Sequence, residues 1–73
     1  MSAEEARPAA VETLIMKGDY EGASAVLVHA MKQSGQPLGP QLDQFVSAMQ
    51  VTLKDHPREF NRWLRALRSV VHR

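Results

Sequence analysis

A chain of 73 residues with 44% hydrophobic residues and a net charge of +1 makes one domain, and folding removes only ~60% of its unfolded surface from water. The absence of cysteine excludes disulfides, thiolate metal sites and cysteine nucleophiles. The apolar runs are only a few residues long, such as "AVLV" at 25 to 28, against the ~20 that a membrane-spanning helix needs, so no membrane partner is expected.

The N-terminal "MSAEEA" carries acids and lacks the basic-then-apolar order of a secretory signal, which predicts a cytoplasmic chain. Ser2 and Glu5 have the spacing of a capping box, but a helix begun there would bury Pro8 in its interior. Residues 1 to 6 are therefore expected to be frayed, with the first helix running from about 8 to 17. Proline suits its start, because the N–H that proline lacks has no helical partner there. Val11, Leu14 and Ile15 form its apolar face.

Gly18 can take the left-handed conformation that ends a helix, and Asp19 can accept from the free amides of the next. The second helix, about 20 to 33, carries Ala23, Val26, Leu27, Ala30 and Met31 at steps of three and four, with alanines small enough to admit another helix closely. "SGQPLGP" at 34 to 40 holds two glycines and two prolines and divides the chain. Beyond it the third helix is expected from about 40 to 54, with Leu42, Phe45, Val46, Met49 and Leu53 on its core side. Asp55 or His56 then caps a fourth helix, 57 to 72, that opens on Pro57. At about 100° per residue, Phe60, Trp63, Leu64, Leu67, Val70 and Val71 share an arc of roughly 120°, and Arg58, Arg62, Arg65, Arg68 and His72 lie opposite. No alternating run suggests a strand. The expected fold is a compact all-α four-helix domain of 73 residues, made of two antiparallel helical hairpins.

Gly18, Asp19, Tyr20, Ala23, Leu27 and Ala30, with Leu14 as the large residue of the preceding helix, resemble the middle of a tetratricopeptide repeat. The likeness spans residues 7 to 35 and departs from the pattern at Arg7, where the repeat has tryptophan, at Val11, where it has a small residue, at Pro8, and at Gly35, where it closes on proline. Residues 58 to 72 do not repeat the motif. Solenoids of this kind need about three repeats to close a core, so a single hairpin must pack on the other two helices, a second copy or a partner. The resemblance implies an adaptor or small chaperone that holds another protein's helix or extended segment.

Catalytic chemistry is not expected. Ser24, Ser34, Ser47 and Ser69 stand outside any nucleophile motif, and Gly35 and Gly39 lack the lysine and hydroxyl of a phosphate-binding loop. His29, His56 and His72 fall on different elements without a ligand at i+4, so no metal and no cofactor are expected. Two binding readings compete for the fourth helix. Residues 1 to 36 carry a net −2 and residues 37 to 73 a net +3, and arginine and tryptophan are the types enriched at interface hot spots. Arg58, Arg62, Trp63, Arg65 and Arg68 are thus the expected contact residues for an acidic protein partner. A nucleic acid held by the same arginines is the alternative, although an isoelectric point near 8.2 is low for that role. The bland readings are that the arginines form a solvated face or pair with Glu12, Asp19 and Glu21, and that Trp63 belongs to the core. A homodimer would be a further way to bury apolar surface.

Overall fold

The computed structural model describes residues 7–72, so the expectation of a frayed segment at 1 to 6 lies outside the described residues. Four helices follow one another, α1 (Pro8–Met16), α2 (Tyr20–Gln33), α3 (Leu38–Thr52) and α4 (Pro57–Val71). They form two antiparallel helix-corner-helix pairs. The radius of gyration, 11.1 Å, matches the roughly 11 Å of a compact chain of this length. No helix among the described residues is long and apolar enough to cross a membrane.

The first corner behaves as its residues dictate. Pro8 opens α1, and at the other end Gly18 takes φ +86°. The Gly18 amide then donates to the Ile15 carbonyl at 2.9 Å, and the Asp19 amide to that of Leu14 at 3.0 Å. These two bonds are the Schellman closure that a left-handed residue after a helix makes possible. Asp19 then starts α2, its Oδ1 accepting from the Gly22 amide at 3.0 Å. Gly22 belongs to the same device, because a Cβ there would collide with the Asp19 carboxylate.

α3 begins at Leu38, two residues before the expected start at 40. Pro40 occupies the third helical position, where the amide is still one of the four that no helical carbonyl reaches. The turn leading in is pinned from within α3. Gln41 Nε2 donates to the Gln36 and Pro37 carbonyls, both at 3.1 Å, and Ser34 Oγ lies 3.2 Å from Gln41 Oε1. The other boundaries differ by a residue or two: α1 ends at Met16, α3 at Thr52 and α4 at Val71. His56, not Asp55, is the N-cap residue of α4, and it makes no side-chain cap bond. Pro57 at the first position supplies the start instead.

Val11 and Ile15 of α1, Ala23, Leu27, Val28 and Met31 of α2, Met49 and Leu53 from α3 and its corner, and Trp63 and Leu67 of α4 form the buried core. The most extensive packing is between α2 and α4, followed by α1 on α2. Small residues on the buried face of α2, Ala23 and Ser24, permit close approach of a neighbouring helix. The Ser24 hydroxyl is satisfied locally, donating to the Tyr20 carbonyl at 2.9 Å. The buried face of α2 is rotated from the expected stripe: Ser24 and Val28 are inside, whereas Val26 and Ala30 are half-buried. Two neighbours, α1 and α4, cover α2 from different directions, so its apolar arc widens beyond one stripe.

Candidate interaction surface

α4 is the most amphipathic element of the chain, and its two faces meet different surroundings. Arg58, Arg62, Arg65, Arg68 and His72 are all exposed. Among the described residues the four guanidinium groups form no ion pair. Asp19, a carboxylate that could have neutralised one of them, is committed to the start of α2.

Trp63 corrects the expectation of a contact residue. It is 0% exposed, at the centre of the core, with Phe60 at 5.9 Å and Phe45 at 6.3 Å between ring centroids, both tilted by about 50°. Such tilted ring pairs are favourable beyond the area they bury. A side chain so placed cannot meet a partner without unfolding the domain. Its indole Nε1 is buried without a hydrogen-bond acceptor, a cost of about 1–3 kcal/mol that the packing of the ring offsets.

The residues expected to fill the core from α3 are also only partly inside. Met49 is its one buried helical residue, while Leu42, Phe45 and Val46 are half-buried. The cause is where α4 goes: it lies chiefly against α2, and α3 has its main contacts with α1 and α2. α3 and α4 therefore diverge from their corner. The opening between them is a groove of about 480 Å³ with Leu42 and Val46 on one side and Leu64, Leu67 and Val71 on the other. Asp43 and Ser47 edge it on α3, Arg68 and His72 on α4. Arg65 stands next to Arg68 in a smaller depression, of about 190 Å³, with Asn61 and Leu64.

The arginine row divides on this geometry. At about 100° per residue Arg68 lies some 40° from Leu64 around α4, and Arg65 about 100°, whereas Arg58 and Arg62 are roughly 120° and 160° away. Arg68 thus lines the groove, Arg65 lines only the adjoining depression, and Arg58 and Arg62 line neither. The sequence reading placed Leu42, Val46, Leu64 and Val71 in the core. Their partial exposure could be suspected only from the shortage of partners in a chain of this length.

Among the described residues no three His, Asp or Glu side chains converge as a metal site would require. The groove instead combines an apolar floor with a one-sided basic edge, a surface suited to holding an amphipathic ligand. No family model, curated protein or solved structure matches the chain.

Proposed function

We propose that this domain is a small non-enzymatic interaction module that binds a protein partner along α4, in the manner of an adaptor, inhibitor or small chaperone. The observation that carries the reading is the row of exposed arginines beside half-buried Leu64, Val71, Leu42 and Val46. Arginine forms forked bonds to carboxylates, and adjacent apolar side chains add the area that charge alone does not provide. The likeness of residues 7–35 to a tetratricopeptide hairpin favours the same class of role.

Nucleic-acid binding is the second reading, favoured by the same four guanidinium groups and opposed by the apolar surface next to them, which phosphate cannot use. The two part experimentally. The combined Arg58→Ala, Arg62→Ala and Arg65→Ala variant is expected to keep its helicity by circular dichroism and lose the proteins captured by the unaltered domain. The same captured set from both forms overturns the proposal. A gel shift that weakens steeply between ~50 and 200 mM salt would establish the nucleic-acid reading instead.

A further inference from the structure

We infer that the α3–α4 groove receives an amphipathic α-helix whose acidic side lies over Arg65 and Arg68; this rests on the reading of α4 as a partner-binding surface and specifies its ligand. The shape argues for a helix. From Leu64 to His72 the groove follows about 12 Å of α4, given a rise of about 1.5 Å per residue. That length accommodates apolar side chains at i, i+4 and i+7 of a docked helix, the anchor pattern of helix-in-groove recognition. The groove offers no strand edge, since both walls are helices whose backbone groups are largely bonded internally. An extended peptide would lose water from its amides without replacement, whereas a helix brings its own bonds.

Charge determines which helix. The α4 wall carries Arg68, with His72 at its end and Arg65 in the depression that adjoins it, and the α3 wall carries a single ionised side chain, Asp43. A ligand helix with glutamate or aspartate on the flank over α4, and none over α3, meets opposite charge on the α4 side and avoids like charge beside Asp43. This asymmetry also orients the ligand about its axis. A second copy of this chain fits less well: laid groove to groove, each copy brings two guanidinium groups and one carboxylate, so like charges outnumber opposite ones in the rim. The exposed side of α3 away from the groove, with Gln44, Ala48 and Val51, offers no acidic stripe either.

The test uses the whole chain, isotope-labelled, and two synthetic helices of about 14 residues, stapled on the solvent side because free helices this short are marginal. Both carry leucine at i, i+4 and i+7; one has glutamates along a single flank, the other lysines in their place. The glutamate helix is expected to bind with a Kd of about 10–500 µM, shifting resonances of Leu42, Val46, Leu64 and Val71. The lysine helix is expected to bind at least about 10-fold more weakly. Replacing Arg65→Glu and Arg68→Glu together should invert that preference. Both sites are exposed, so the fold survives the change, as circular dichroism will verify.

Equal binding of the two helices overturns the inference, as does no binding of either at ~1 mM. Binding of the glutamate helix with shifts at Arg58 and Arg62 and none in the groove also overturns it, while leaving the partner-binding reading of α4 intact. Light scattering that shows a dimer whose dilution shifts Leu42, Val46, Leu64 and Val71 assigns the groove to a second copy. A duplex oligonucleotide that displaces the glutamate helix and shifts the arginine row defeats both readings together.

Discussion

The first and second helical pairs share one plan and differ in how they close. α1 and α2 lie against each other, and between them supply Val11, Ile15, Ala23, Leu27, Val28 and Met31 to the core. α3 and α4 are joined by a corner one residue longer and contribute, with that corner, only Met49, Leu53, Trp63 and Leu67, with Leu42, Val46, Leu64 and Val71 left half-buried. The deciding element is α2, which carries small buried residues and accepts α4 on one side and α1 on another. A helix that finds a better neighbour across the domain leaves its own hairpin partner partly uncovered. Apolar surface of that origin stays half-exposed at the edge of the core it packs against.

The comparison is most directly broken at Trp63. Trp63→Ala is expected to cost about 3–5 kcal/mol, much of the roughly 4–11 kcal/mol available to a domain of this size, and should leave a largely unfolded chain by circular dichroism. Trp63→Phe is the sharper probe. It removes the unpaired indole N–H along with part of the ring, so its destabilisation should be well below that of alanine, within about 2 kcal/mol in a urea titration. A larger loss would mean that the N–H is satisfied in solution.

A paired truncation measures the two halves against each other. Leu27→Ala, at a fully buried position of α2, should cost about 2–5 kcal/mol. Leu42→Ala, half-buried beside the groove, should cost about 1 kcal/mol or less and weaken ligand binding instead. Equal costs would show that α3 closes on α4 in solution. At the first corner, Gly18→Ala forces a Cβ into a left-handed conformation with no steric obstacle nearby, and about 1–2 kcal/mol is the expected penalty. The smallest effect belongs to the exposed row: single Arg58, Arg62, Arg65 or Arg68 substitutions by alanine should change stability by no more than about 0.5 kcal/mol.

Punctuation made much of this fold legible in the sequence. Pro8, Gly18, Asp19 and Pro57 act on their own backbone or on an amide three residues away, so local chemistry suffices to read them. The start of α3 was misplaced because it depends on Gln41 reaching back to the Gln36 and Pro37 carbonyls, a side-chain bond with no signature spacing. Trp63 illustrates a different limit. Its place on the apolar arc of α4 was evident, but whether the edge of that arc faces protein or water depends on which helix covers it, and periodicity within one helix carries no information about its neighbours. For the same reason the arginines could be identified as one face, without telling that Arg68 alone among them lines the groove.

The corner at Asp19 and Gly22 has a consequence for how this sequence can change. Glycine inside a helix is usually a site where alanine gains about 1 kcal/mol. Here the added methyl would displace the Asp19 carboxylate from the amide it holds, a loss of similar size. Gly22→Ala should therefore be close to neutral, or harmful, while Asp19 is present, and beneficial once Asp19→Ala has already been made. A double-mutant cycle would read that coupling as about 1 kcal/mol. The same alanine thus changes sign with its background, and a chain drifting through substitutions at these two positions meets an uneven path: whichever change comes first alters the worth of the other.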